Sequence, residues 1–391
     1  MQRANRGNNK HYYNKFDYWH YGGYKYSFNK KYIYDEKEKD FYSNENNVNN
    51  IENVQKSDEK GFTGNPDTWF NDGECFKSKT FKLRNDIIRT SCYHDVILNN
   101  HDIFKDKVVL DIGCGTGILS IFAAKAGAKH IFGIESADIT EYTREIIKKN
   151  NLSDKITIIK GKIEEVELPV EKVDIIISEW MGNFLLYGSK IDKIIYARDK
   201  WLNKDGYILP DHGTISIAGI ENTDYKNNNE KFWEDVYGVD MSCLKSAIIG
   251  KPFVGICPPE LINSSSCRIL DIDLYTIKNE DLDFSSKYEI TFFRDNDKFS
   301  GLVAWFDIGF TKLTNKFNLT TNPYHKLTYW YQTIFYTIND LKVNKGDKVT
   351  GSFAVKNPKT NFKQLNIKIS FNVANKGKNE KEAWHQFYKF F

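Results

Sequence analysis

The chain has no run of about 18 apolar residues, so no membrane-spanning helix is expected. Its first residues lack the apolar core of a secretory signal. It has no Cys-x-x-Cys pair: Cys75, Cys92, Cys114, Cys243, Cys257 and Cys267 are scattered. Six cysteines can staple a small secreted chain, but in 391 residues at these spacings they read as reduced thiols of an intracellular protein. A cytoplasmic or nuclear location is expected, and no metal site. Charge of one sign is also scarce. The 55 basic and 52 acidic residues leave a formal net charge of +3, which gives no direct signal for nucleic acid or a membrane surface. What is present is ample for a globular protein: 40% hydrophobic and 27% charged residues, in a length that suggests two domains with real cores.

The chain divides by texture. Residues 1–66 are rich in Asn, Lys and Tyr, as in Tyr18-Trp19-His20-Tyr21-Gly22-Gly23-Tyr24, with few aliphatic side chains. So little apolar surface predicts a disordered, aromatic-studded tail. A binding or self-association role for it is the alternative. From 67 to 210, apolar strands at 108–111, 128–135, 156–160 and 173–178 alternate with helices at 118–126 and 139–150. That order implies a parallel sheet covered on both faces.

Beyond Pro210-Asp211 the segments alternate between apolar and polar residues. Thr214-Ile215-Ser216-Ile217-Ala218 and Leu365-Asn366-Ile367-Lys368-Ile369-Ser370-Phe371 are examples, and they suggest antiparallel strands with one buried face. Asn344-Lys345-Gly346-Asp347 and Asn375-Lys376-Gly377 read as turns. A β-barrel or sandwich over 211–391 follows. Within it, 228–243 carries Phe232, Trp233, Val236 and Tyr237 at helical spacing. This stripe is either core or an association surface, and taken alone it reads as core.

The segment with the most chemistry is Val108-Val109-Leu110-Asp111-Ile112-Gly113-Cys114-Gly115-Thr116-Gly117. A glycine turn between strand and helix lets a ligand lie against bare backbone. The pattern is GxGxG rather than GxGxxG, and no phosphate-binding lysine follows, which excludes a P-loop. Asp111 sits where a carboxylate can meet a cationic amine. Glu135 ends the next strand, 22 positions after Gly113, where an acid grips a ribose diol. Together these point to a nucleoside cofactor. S-adenosylmethionine fits better than NAD, because there is a carboxylate by the turn and no sign of pyrophosphate recognition.

Several further segments resemble the protein arginine methyltransferases, most of all the predominant type I enzymes. They are Phe104-Lys105-Asp106-Lys107-Val108, Phe122-Ala123-Ala124-Lys125-Ala126-Gly127-Ala128, Lys160-Gly161-Lys162-Ile163-Glu164-Glu165-Val166-Glu167-Leu168-Pro169, Ser178-Glu179-Trp180-Met181-Gly182 and Val236-Tyr237-Gly238-Val239-Asp240-Met241-Ser242-Cys243. The resemblance covers about residues 67–380. It implies a Rossmann-like α/β S-adenosylmethionine-dependent methyltransferase domain at 67–210. An antiparallel β-barrel would follow at 211–391, with a helical dimerisation arm at about 223–260 that makes a ring-shaped dimer. That reverses the core reading of the Phe232/Trp233 stripe. It also implies an arginine-containing protein substrate, and a homodimer or a heterodimer with a related methyltransferase. By resemblance, Arg89 matches the arginine that grips the methionyl carboxylate. Asp111, Gly113 and Gly115 match the glycine turn, Glu135 the ribose acid, Ile163 and Glu164 the adenine contacts, and Glu179 the first acceptor carboxylate. A plain structural ion pair is the other reading of Arg89 and Glu179.

The acceptor side departs from the pattern. An arginine guanidinium is protonated and delocalised, a poor nucleophile, and two carboxylates can clamp its fork and orient one nitrogen. In the family the second carboxylate lies nine residues after the first; here that position is Gly188. The family's Thr-His-Trp is Thr328-Tyr329-Trp330, which makes Tyr329 and Trp330 candidates on the acceptor side. The methionine near the end of the loop is Lys190, which could oppose a cationic substrate. The tyrosine-rich helix near the start of the domain reads Asp67-Thr68-Trp69-Phe70-Asn71-Asp72-Gly73-Glu74, and Glu74 could lend the missing carboxylate. Two functional readings stay open: a type I-like arginine methyltransferase with a remodelled acceptor pocket, or a catalytically impaired paralogue that serves an active relative as non-catalytic subunit or regulator.

Overall fold

The computed structural model describes residues 20–21, 24–25, 86–357, 364–374 and 381–391. The expected tail and its alternative role, the segment 67–74 with Glu74, and the turn at 375–377 otherwise lie outside the described residues. Two units separate, Met1–Thr63 and Gly64–Phe391. In the first, β1 (His20–Tyr21) pairs antiparallel with β2 (Tyr24–Lys25).

The second unit begins with α1 (Ile87–Asn99) and the short α2 (His101–Phe104), followed by β3 (Val108–Ile112), α3 (Ile118–Lys125), β4 (His130–Glu135), α4 (Thr140–Lys149), β5 (Ile156–Lys160), β6 (Val173–Ile177), α5 (Ile191–Trp201) and β7 (Leu202–Leu209). The five strands form one parallel sheet in the order β5-β4-β3-β6-β7. The chain steps outward from β3 to β5, then returns to lay β6 on the other side of β3. That reversal opens a crevice at the carboxyl ends of β3 and β6, the usual ligand position in such sheets. Val109, Leu110, Val173, Ile175, Ile176 and Ile177 are buried, as strands covered on both faces require.

Next come β8 (His212–Ile220), α6 (Thr223–Phe232), α7 (Lys245–Ile249), β9 (Phe253–Gly255), β10 (Ile262–Asp273), β11 (Phe284–Thr291), β12 (Asp297–Phe310), β13 (Phe317–Thr320), β14 (Gln332–Val343), β15 (Lys348–Lys356), β16 (Leu365–Ala374) and β17 (Lys381–Phe390). The expected barrel is built as two antiparallel sheets, β10-β8-β12-β14-β9 with β13 on β12, and β11-β15-β16-β17, joined by an isolated bridge between Ser264 and Phe292. β16 alternates as its sequence predicts: Ile367, Ile369 and Phe371 face the core, and Lys368 and Asn372 face out. β8 does not have the single buried face its alternation suggests. Ile215 and Ile217 join the main core, while Ala218 and Ile220 pack into a second cluster with Val303, Ile334 and Tyr336, against which Tyr225 and Ile249 of the arm lie. The arm helices cover what would otherwise be a solvated sheet face.

The helical reading of 228–243 needs correction. α6 stops at Phe232, because 236–239 forms a tight turn: Val236 and Val239 exchange backbone hydrogen bonds of 2.9 and 3.1 Å, and Tyr237 and Gly238 both have positive φ. The Asp235 carboxylate locks it by accepting from Gly238 N at 2.7 Å. Phe232, Tyr237, Val239 and Leu244 are exposed, which fits an association surface rather than a core stripe. Among the described residues no helix is long and apolar enough to cross a membrane, no His/Cys/Asp/Glu group could hold a metal ion, and no cysteine is in a disulfide.

Candidate active site

The site is built at the carboxyl ends of β3, β4 and β6. Between β3 and α3, Gly113, Gly115 and Gly117 all take left-handed φ, and the turn is tied to its neighbour by Gly113 N and Cys114 N donating to Ile134 O at 2.8 and 3.1 Å. Asp111, on β3, is buried. Ser120 Oγ donates to its Oδ2 at 2.6 Å, and its Oδ1 is buried with no hydrogen-bond partner. Burial pushes its carboxyl up to about 6, against the Ser120 hydrogen bond and the Lys190 charge, which pull it down. Glu135, at the end of β4, is held by backbone: Oε2 accepts from Gly115 N at 3.0 Å, and Oε1 accepts from Ser136 N and Ala137 N at 3.0 and 3.1 Å. A carboxylate is an acceptor-only group of the kind that can hold a diol's hydroxyls. Thr143 Oγ1 of α4 donates to Gly115 O at 2.5 Å and fixes the turn from the other side. Past β5, Ile163 is buried and Glu164 is exposed beside Asp192, whose carboxyl is pushed up by burial and by the Glu164 charge.

Arg89 reaches this crevice from the first turn of α1. Asp86 caps that helix by accepting from Arg89 N at 3.0 Å, and its other oxygen accepts from Tyr329 N at 3.2 Å. The Arg89 guanidinium pairs with Glu179, which lies two residues beyond β6, and Nη2 donates to Thr90 Oγ1 at 3.1 Å. Side-chain exposures of 13% and 17% put this pair well away from bulk screening. Arg89 Nε is buried with no partner. Tyr93 OH, one turn on, donates to Ser178 O at 2.9 Å, and Ser178 Oγ donates to Ile112 O at 2.8 Å, so α1, β3 and β6 are stitched together directly beneath the site.

The loop after Glu179 is pinned by its own apolar side chains. Trp180, Met181, Phe184, Leu185 and Leu186 are buried. Phe184 packs against Phe335 and Phe353 with ring centroids 5.5 and 5.7 Å away. Phe184 and Leu185 take positive φ, a strain of about 1–2 kcal/mol each. Burying each side chain returns about 1.5–3 kcal/mol, so packing wins. Trp180 O closes the loop, accepting from Lys190 N and Ser189 Oγ at 2.8 Å each. At Gly182 a Cβ would lie 1.9 Å from Tyr187 O, so the loop's two limbs touch through bare backbone. Gly188 differs: its φ is +68° but a Cβ there would meet nothing within 4 Å. Position 188 thus has room for a side chain but a backbone that favours glycine.

The structure brings Arg89, Asp111, Gly113, Gly115, Glu135 and Glu179 together around one crevice. Trp330 is buried, and its indole donates to Met181 O at 3.3 Å, which ties it to the loop after Glu179. Tyr329 is half-buried beside α1 through its backbone bond to Asp86. Sequence reasoning missed Asp86, Tyr93, Ser120, Thr143 and Ser178, which act through pairings no local pattern announces. Only Asp86, an N-cap type ahead of an apolar periodic segment, carried a readable signal.

A buried carboxylate oxygen and a buried guanidinium nitrogen, both without partners, suit the ammonium and carboxylate of an amino acid, and Glu135 suits a ribose. On this sheet, these groups define an S-adenosylmethionine-dependent methyltransferase. Residues 96–210 match the family described as "Ribosomal protein L11 methyltransferase (PrmA)", and residues 211–376 match "Arginine methyltransferase oligomerization subdomain". Protein arginine N-methyltransferase 1 of Schizosaccharomyces pombe is 45% identical over 82% of this chain and 93% of its own, and that of Chlamydomonas reinhardtii is 48% identical over 74% and 84%. The chain belongs to the protein arginine N-methyltransferase family. Two solved structures are similar to it. A Trypanosoma brucei PRMT1 enzyme-prozyme heterotetrameric complex with AdoHcy has TM-score 0.76 and 36% identity over 81% of this chain and 98% of that one. Arabidopsis thaliana protein arginine methyltransferase 10 has TM-score 0.73 and 28% identity over 80% and 99%.

Proposed function

We propose that this chain is a working, type I-like protein arginine N-methyltransferase whose acceptor clamp is reduced to one carboxylate. The observation that carries the reading is Glu179, held by Arg89 at the mouth of the crevice beside Asp111 and Glu135. When bound, S-adenosylmethionine supplies an electrophilic methyl on a positively charged sulfur. Asp111 Oδ1 would take its ammonium, Arg89 its carboxylate, Glu135 its ribose, and Ile163 and Glu164 its base. Glu179 would accept from the substrate guanidinium and aim one nitrogen at the methyl. Gly188 gives that guanidinium no second partner. Losing one charge-assisted hydrogen bond costs about 2–3 kcal/mol, or about two orders of magnitude in rate.

The second reading, a non-catalytic subunit paired with an active relative, is favoured by the same Gly188. In either case the exposed arm residues support dimerisation through 223–260. Methyl transfer to an Arg-Gly-rich peptide separates the two. Slow turnover is expected, falling a further ~100-fold in Glu179→Gln. Gly188→Glu should raise it, at a strain cost of about 1–2 kcal/mol from the left-handed backbone. No transfer above background by folded, cofactor-bound protein, with or without Gly188→Glu, would establish the non-catalytic reading.

A further inference from the structure

α1 carries Arg89, and the side chains that cap its two ends both reach the antiparallel domain. At the start, Asp86 accepts from Arg89 N and from Tyr329 N. At the end stands Asn100, fully buried. Its Nδ2 donates to Val96 O at 2.8 Å and to Asn315 O at 3.1 Å, and its Oδ1 accepts from Asn315 N at 2.9 Å. Asn315 Nδ2 in turn donates to Asn99 O at 2.7 Å. The last carbonyls of a helix have no donor within it. Here Asn100 supplies one and the antiparallel domain supplies another.

Asn315 lies in the turn between β12 and β13, and that turn is fixed from the domain junction. Thr311 N and Oγ1 donate to the two carboxylate oxygens of Asp211 at 2.6 Å each, and Leu313 is buried in the main core. In the middle of α1, Tyr93 meets Phe310, the last residue of β12, edge-on with ring centroids 5.5 Å apart. The antiparallel domain thus holds α1 at its start, middle and end. Two caps at opposite ends fix the rotation of a helix about its own axis. A side-chain tip stands about 5–6 Å from that axis, so about 10° of rotation displaces it by about 1 Å. A forked hydrogen bond from a guanidinium to a carboxylate does not survive such a shift unchanged.

We propose that Asn100 and Asn315 are positioning residues for the cofactor: through their reciprocal hydrogen bonds the β12–β13 turn sets the rotation of α1 and so aims Arg89 at the carboxylate of the ligand's amino-acid end. The inference rests on the assignment of Arg89 to that carboxylate and deepens it. It makes cofactor grip a property of both domains, so a change in the β12–β13 turn alters affinity through Arg89.

Titration calorimetry on the full chain with two ligands tests it. S-adenosylhomocysteine has the carboxylate; 5′-methylthioadenosine keeps the adenosine and the sulfur but lacks the amino-acid end. Arg89→Ala, the reference, should weaken S-adenosylhomocysteine about 100-fold and leave methylthioadenosine within about twofold. Asn100→Ala should weaken S-adenosylhomocysteine about tenfold and Asn315→Ala, which deletes only the bond to Asn99 O, about threefold, with methylthioadenosine again unmoved. Added to Arg89→Ala, Asn315→Ala should weaken S-adenosylhomocysteine no further. Asn315→Ala leaves the buried Asn100 in place, so the test stands on it should Asn100→Ala not fold. Equal losses for both ligands, or no loss for S-adenosylhomocysteine in the folded variants, overturn the proposal and leave the pair a structural cap. If Arg89→Ala weakens both ligands alike, the carboxylate assignment fails and takes the proposal with it.

Discussion

Asp111 shows how one residue can couple ligand, proton and fold. An exposed aspartate has a pKa near 3.8, and burial raises this one to about 6. Between those values the folded protein keeps a proton that the unfolded chain has released. The stabilisation linked to that proton is therefore complete below about pH 3.8 and lost as pH rises through about 6, worth on the order of 3 kcal/mol at most. A cationic amine beside Oδ1 favours the ionised form, so binding at low pH must expel the proton. S-adenosylhomocysteine should bind about tenfold more weakly per pH unit below pH 6. Calorimetry in buffers of different ionisation enthalpy should find about one proton released near pH 5 and almost none near pH 7.5. Asp111→Asn should bind weakly at every pH with no proton release, and should melt higher than wild type at alkaline pH. A flat wild-type pH profile would rule out the Asp111–amine contact.

At the scale of the element, Asp86 does two jobs with one carboxylate. It caps α1 and holds the backbone of the Thr328-Tyr329-Trp330 segment. An N-cap is worth about 1 kcal/mol, and an orphaned backbone N–H at Tyr329 adds about 1–3 kcal/mol where it is shielded from water. Asp86→Ala should therefore lower the melting temperature clearly and loosen Arg89, which sits in the capped turn, so that cofactor affinity falls with it. A variant that melts and binds like wild type would show the cap to be dispensable. The same element illustrates the reach of sequence. The strands at 108–111, 128–135, 156–160 and 173–178 and the helices at 118–126 and 139–150 were legible within a residue or two, because burial on both faces writes a continuous apolar run and helix stops are local. The arm was misread at 233–243, because apolar residues at helical spacing look alike whether a helix continues or a turn interrupts it. The Asp235–Gly238 lock is a tertiary-free but subtle signal, and it outweighed the spacing.

At the scale of the molecule, the acceptor loop and the arm are the two places where one domain's sequence depends on another's packing. The loop owes its shape to Phe335 and Phe353 of the antiparallel domain, and the arm covers the outer face of β8, β12 and β14. The arm's remaining apolar residues face out. Replacing Phe232, Val239 and Leu244 together by serine should leave the melting temperature of the monomer within about the effect expected of surface changes. Light scattering should then show the oligomer's mass collapsing to that of one chain. An unchanged mass would place the oligomeric contact elsewhere.

The sequence by itself determined the glycine turn, the acidic residue types at Asp111, Glu135 and Glu179, the family, and a glycine rather than an acid at position 188. These are written in residue type and short spacing, which the chain carries before it folds. Only the tertiary structure decided that Arg89 and Glu179 pair across 90 positions, that Asp86 meets Tyr329 across 243, and that Lys190 turns from the acceptor side onto Gly113. Such contacts depend on where loop closure and core burial bring distant side chains, and no local pattern encodes that direction.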